Sequence, residues 1–470
     1  MAGSQLFRRK PIEVAPPPGA HALPRTLSWP HLIALGVGAI VGTGILTLIG
    51  VGADRAGPAV ILSFAIAGLI CAAAALAYAE MAAMMPQAGS AYTYSYAVLG
   101  EPVAWMVGWS LILEYSLVVA TVAVGWSGYT SGFLTGLGHP LPVSLANGPE
   151  LGGVINLPAI LIIGVVAGLL LVGTRESATL NAVLVVVKLV ALAMFVAVAA
   201  PAFDAANLQP FMPFGFAKSV SPDGVERGVM AAAAIIFFAF YGFDAISTAA
   251  EETKDPGRNL SIGIVGSMLA CVAIYMAVGL AAVGALPFQR FAASAEPLAV
   301  VLRGIDRGGA ATFLAAAVVI ALPTVLLAFL YGQSRIFLAM ARDGLLPASL
   351  ARLSARGTPV RVTLFTALLV AVIAGVMPID AIAALANAGT LAAFTAVAAS
   401  LLVLRRRHPG AERPFRVPLA PLVGGVAIVG CLYLFASLPG TTQRWFLIWN
   451  AVGLLVYLLY GRSRATAARP

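Results

Sequence analysis

The stretch GAIVGTGIL, residues 38–46, decides how this chain folds. It lies inside the first long apolar run, yet it places three glycines within seven residues, with a threonine between the last two. Each glycine in a helix interior costs about 1 kcal/mol relative to alanine. In hydrocarbon, where an unpaired backbone group finds no water, such a weak point is costly unless the chain uses it. A Gly38/Gly42 packing face that admits a neighbouring helix would explain the spacing. A built-in interruption of the helix would explain it equally well.

The surrounding composition sets the solvent. The 470 residues are 60% hydrophobic and 10% charged, with a mean hydropathy of +0.96. A soluble domain carries about 25% charged residues, so this chain belongs in a bilayer. Apolar runs long enough to cross one fall at about 31–51, 58–84, 102–132, 154–173, 179–201, 229–250, 260–286, 310–340, 360–377, 381–404, 417–437 and 444–461. If the chain crosses twelve times, twenty Lys and Arg face one side and seven the other, with Lys188 left inside a span. The basic side is the cytoplasmic one, which puts both termini inside the cell membrane. That asymmetry also accounts for the net charge of +9 without nucleic acid. The first thirty residues are basic, broken by prolines and lack an apolar core, and so read as a cytoplasmic tail rather than a cleaved signal. Cys71, Cys271 and Cys431 lie far apart in apolar runs and read as packing residues.

The chemistry that remains is narrow. The four histidines fall in tails, loops or span ends, no HExxH occurs, and no lysine follows a glycine-rich phosphate loop. Metal centres, ATP-driven pumping by this chain and intramembrane enzyme catalysis are disfavoured, and no cofactor is expected.

A second interruption gives the first its meaning. The sixth run, AAAAIIFFAFYGFDAISTAAEE (231–252), has Gly242 at mid-span and the acid Asp244 just beyond it. A carboxylate at that depth is a functional candidate by default. Interruptions in the first and sixth runs are spaced as two inverted five-helix repeats would space them, with substrate held between the breaks. Unwinding frees carbonyls at the end of one half-helix and amides at the start of the next. The amides of Thr43, Gly44 and Ile45 suit a carboxylate, and carbonyls near Phe238, Ala239 and Tyr241 suit an ammonium group. An α-amino acid carries both. The expected substrate-binding set is therefore Ile40, Val41, Gly42, Thr43, Gly44 and Ile45 facing Phe238, Ala239, Tyr241, Gly242 and Asp244.

The stretches GVGAIVGTGIL, YAEMAAMMPQAGSAYTYSY (78–96), FYGFDAISTAAEETKDPGRNLSIGI (240–264), YGQSRIFLAMARDGLLP (331–347) and RRRHPGAERPFRVP (405–418) together resemble the amino acid–polyamine–organocation superfamily, in its cationic amino acid transporter branch. The resemblance covers about residues 25–461. It implies an all-α polytopic membrane protein of twelve transmembrane helices with the LeuT-like five-plus-five inverted repeat, broken helices 1 and 6, and two peripheral helices. The boundaries are a tail (1–28), a first repeat (29–203), an outer loop (204–228), a second repeat (229–405), an inner loop (406–416), two further helices (417–461) and a C-terminal tail (462–470). It implies import or exchange of amino acids by alternating access.

In the sodium-coupled relatives of this fold a metal ion bridges the first and eighth helices. The resemblance suggests that the ammonium of Lys188 takes that place, against carbonyls near Gly38 and Val41. A buried ammonium can release and regain a proton during the cycle, so protons rather than sodium are the expected partner. Snorkelling to the cytoplasmic interface is the less favoured alternative for Lys188. Glu114, deep in the third run, would meet the substrate's amino or basic end, which makes arginine, lysine, ornithine or an alanine-like substrate plausible; a packing acid bonded to Tyr or Ser neighbours is the alternative. Asp244 either contacts the substrate or holds the sixth helix. Phe238 and Tyr241, three apart, are the pair expected to cover the site. Glu80, Glu251 and Glu252 are expected to pair with Arg258, Arg335 or Arg342. The family leaves room for a small single-span accessory subunit. A polyamine exchanger or a non-transporting sensor on the same fold stays open at this point.

Overall fold

The computed structural model describes residues 8–10, 27–86, 89–172, 178–248, 253–351 and 359–462. Among the described residues, each of the twelve apolar runs is mainly helical. Eight helical segments of the described residues are long and apolar enough to cross a membrane, and four more, Trp29–Ile40, Leu157–Val172, Val229–Phe240 and Val360–Val376, are apolar but shorter. Two of these four are the halves that precede the interruptions. Helix is the outcome because it satisfies every backbone group within one segment. Proline stands in the first turn of Glu101–Gly136, Pro256–Ala285 and Pro323–Arg342, where its missing N–H has no intrahelical partner to lose.

Burial separates centre from rim. The most apolar stretch of Glu101–Gly136 is 83% buried, against 22% for Gly440–Gly461. The outer helix is nonetheless clasped to the inner one. Trp109 Nε1 donates to Trp449 O at 2.9 Å and Trp449 Nε1 donates back to Trp109 O at 3.0 Å, with the rings stacked 4.7 Å apart. Trp105 Nε1 donates to Gly453 O at 2.8 Å.

Two helices of eight or nine residues and a hairpin stand out among the described elements outside the twelve runs. The buried helix Ser90–Val98 follows the second run and Pro297–Gly304 follows the seventh, five runs later. Between the fifth and sixth runs, Ser219–Val220 pairs antiparallel with Glu226–Arg227. Arg55, at the end of Leu48–Ala56, ties this hairpin to the tenth run: its guanidinium donates to Glu226 O at 2.8 Å and to Asp380 Oδ2 at 3.0 Å.

The opposite face is fastened by charge. Lys10 lies 2.6 Å from Asp343, which also accepts from Tyr92 Oη at 2.6 Å. Glu80, fully buried, accepts from Arg405 Nε at 2.9 Å, Arg413 Nε at 3.2 Å and Val417 N at 2.7 Å. Its partners are thus the basic tract after the tenth run, not Arg258, Arg335 or Arg342; charge alone did not tell one arginine-bearing loop from another. Glu251 and Glu252 lie outside the described residues. Removing one partner of a buried ion pair leaves the others uncompensated, so Glu80→Gln should destabilise the protein by about 3 kcal/mol. The check is thermal unfolding of the detergent-purified protein, where an unchanged Tm would mean the cluster contributes little.

Candidate functional site

Both interruptions exist. The first helix, Trp29–Ile40, stops at Val41 (ψ 96°) and Gly42 (φ −150°, ψ −148°), then restarts as Thr43–Leu46 and Leu48–Ala56. The sixth, Val229–Ile236, tightens into a 3-10 turn over Phe237–Phe240 and passes through extended Tyr241 and Gly242. It then resumes at Phe243–Thr248. Gly242 has φ +113°, a conformation that excludes most side chains.

The breaks meet backbone to backbone. A Cβ on Gly242 would lie 2.7 Å from the carbonyl carbon of Ala39, and a Cβ on Gly44 would fall inside the backbone of Ala239. Gly44 and Gly242 are the glycines this requires, because there each break is pressed against the backbone of the other; a Cβ on Gly42 would instead meet the Val325 side chain at 3.6 Å. This contact brings the expected set together: Gly38, Ile40, Val41, Gly42, Thr43, Gly44, Ile45, Phe238, Ala239, Tyr241, Gly242 and Asp244 are all buried, as are Glu114 and Lys188.

Several carbonyls around the breaks have partners from other helices. Lys188 Nζ donates to Gly38 O at 3.0 Å and lies 3.3 Å from Thr324 Oγ1, so it bridges the first and eighth runs. Val41 and Lys188 together line a small gap with Ala191, Leu192 and Ala317. Tyr275 Oη donates to Ile40 O at 2.8 Å and Tyr129 Oη to Leu46 O at 2.6 Å. In the sixth run, Asn387 Nδ2 donates to Ala234 O at 2.6 Å and Ile235 O at 2.9 Å. Asp244 caps the restart: it accepts from Gly242 N at 3.2 Å and from Tyr115 Oη at 3.0 Å. That geometry favours the helix-holding role for Asp244.

Other polar atoms are left bare. Among the described residues, Thr43 Oγ1 and Glu114 Oε2 are buried without a hydrogen-bond partner. A buried carboxylate oxygen in that condition calls for a proton, water or a cationic group. The backbone amides of Thr43, Gly44 and Ile45 open the restarted helix, where amides have no intrahelical acceptor. Phe238 and Tyr241 pack together with ring centroids 5.0 Å apart and ring planes tilted by 46°. Phe240 instead packs on Phe64 and Tyr275, and Phe243 on Tyr78 and Phe394.

Sequence reasoning did not single out Tyr129, Tyr275, Thr324 or Asn387. Only Asn387 carried a usable signal, as the one asparagine in the otherwise small and apolar stretch IAALANAGTLAAF, where an amide is costly unless bonded.

The family described as amino acid permease matches residues 27–458. A branched-chain amino acid permease of Bacillus subtilis (strain 168), BcaP, is 43% identical over 99% of both chains. A methylthioribose transporter of the same organism is 40% identical over 98% of this chain and 99% of its own. A vacuolar cationic amino acid transporter of Arabidopsis thaliana is 38% identical over 90% of this chain and 66% of its own. With breaks, bundle and sequence in agreement over nearly its whole length, the chain belongs to the amino acid permeases of the amino acid–polyamine–organocation superfamily.

Proposed function

We propose that the chain is a secondary active transporter that moves α-amino acids across the cytoplasmic membrane by alternating access, coupled to protons and independent of sodium. The observation that carries this is the meeting of the two breaks at Gly44/Ala239 and Gly242/Ala39, beside a bare Glu114 oxygen. Such a junction offers amides to a carboxylate and an anionic group to an ammonium. An amine without a carboxylate would leave the amides of Thr43, Gly44 and Ile45 unmet, which argues against the polyamine exchanger. The five-run spacing of the breaks, repeated by Ser90–Val98 and Pro297–Gly304, supports two inverted repeats within twelve transmembrane helices. The basic face that holds residues 8–10 is then cytoplasmic, together with both termini.

For the substrate, the near full-length similarity to a branched-chain permease favours neutral aliphatic amino acids. Glu114 also admits arginine, lysine or ornithine. Methylthioribose is a second reading, favoured by the relative named for it. Proton coupling rests on Lys188, whose ammonium occupies the bridge between the first and eighth runs.

The test is uptake of labelled leucine, alanine and arginine into proteoliposomes under separately imposed inward proton and sodium gradients, with methylthioribose as competitor. Saturable amino acid uptake that follows protons and ignores sodium is the expected result. Uptake driven by sodium would overturn the coupling. Competition by methylthioribose without uptake of any amino acid would favour the second reading.

A further inference from the structure

We infer that Asn387 is a positioning residue that holds Tyr241 closed over the substrate, so that the tenth run and the gate of the sixth move together. The inference rests on the transport reading above and adds to it a residue outside both broken helices.

Asn387 is fully buried in Ile379–Arg407. Carbonyl oxygens only accept, so the amide nitrogen must face Ala234 O and Ile235 O, and Oδ1 is left to accept from the hydroxyl of Tyr241. Both donors and one acceptor of the side chain are therefore used. Two of these bonds hold the stub before the break, where the helix tightens and its carbonyl pattern changes. The third holds the extended residue just before Gly242. One side chain thus staples residues 234–241 across the interruption. Two residues further on, Gly389 packs against Glu114, at 3.2 Å from a Cβ placed on it to Glu114 Cβ. A shift of this helix changes the surroundings of Glu114 and the anchor of Tyr241 at once.

The role differs from general support in what it predicts for kinetics. A gate that loses its anchor spends less time closed, and apparent affinity falls in proportion. A merely structural residue would reduce the amount of active protein and so Vmax alone. Tyr241→Phe removes the hydroxyl while leaving both carbonyl bonds intact; Asn387→Ala removes all three.

In proteoliposomes, Tyr241→Phe is expected to raise KM for the transported amino acid by about tenfold, the equivalent of one buried hydrogen bond, and Asn387→Ala by at least as much, with Vmax per folded protein nearly unchanged. The double variant should be no worse than the more affected single one, since both remove the same bond. Unchanged KM in both variants would overturn the role. A raised KM in Asn387→Ala but not in Tyr241→Phe would overturn it too, by assigning the effect to the carbonyl bonds. Absence of saturable uptake by the wild type would overturn the transport reading and this inference with it.

Discussion

Lys188→Met is expected to abolish stimulation of uptake by an inward proton gradient, with downhill exchange of amino acid retained. The two side chains are alike in length and bulk, so the substitution leaves no large void. What disappears is the ammonium that donates to Gly38 O and lies beside Thr324 Oγ1. A hydrogen bond to a charged group contributes about 1.5–3 kcal/mol, so proton-driven accumulation should fall by tenfold or more. Only the gradient-dependent component is diagnostic: the same fall in exchange would mark a damaged fold. Proton stimulation surviving in the variant would sink the assignment, and sodium stimulation of the wild type would replace it.

Gly44→Ala should lower uptake by about a hundredfold. Overpacking usually costs about 1–3 kcal/mol because a flexible neighbour moves aside. Here the neighbour is the backbone of Ala239 at the second break, and it cannot yield without parting the two interruptions. Gly164, in Leu157–Val172, has nothing within 4 Å of where a Cβ would sit. Gly164→Ala should transport as the wild type does. Equal activity in the two variants, measured as initial uptake per folded protein, would show that the breaks need no close contact.

The parts of the fold that were legible are those written locally. Gly38, Gly42 and Gly44, and Gly242 followed by Asp244, mark weak helix, and the chain leaves the helix within both stretches, at Val41–Gly42 between helical Gly38 and Gly44, and at Tyr241–Gly242. Lys188 stood out as the one lysine in an apolar span, but its place against the first run came from the family resemblance, and Gly38 O is what it meets. The partners of the remaining carbonyls were not legible. Tyr129, Tyr275 and Asn387 act across 83, 235 and 152–153 residues of chain, and a tyrosine in such a run reads as packing until its hydroxyl is placed. The same limit explains Glu80, whose arginines lie over three hundred residues away. Ser90–Val98 was hidden for another reason: its tyrosines and serines are too polar for a span, yet every one is buried against the ends of its neighbours.

The tryptophan clasp between Glu101–Gly136 and Gly440–Gly461 bears on biogenesis. The first of these helices carries Glu114, Tyr115 and Tyr129 to the breaks, and it is synthesised more than three hundred residues before the second. Until Gly440–Gly461 is made, the indole N–H groups of Trp105 and Trp109 lack the carbonyls of Gly453 and Trp449, and the inner helix is held by its other neighbours alone. A chain that stops after the tenth run would contain every residue of the candidate site and still lack the splint that fixes its third wall. The last clasp on the helix that carries Glu114 is thus made only after every residue of the candidate site is already in place.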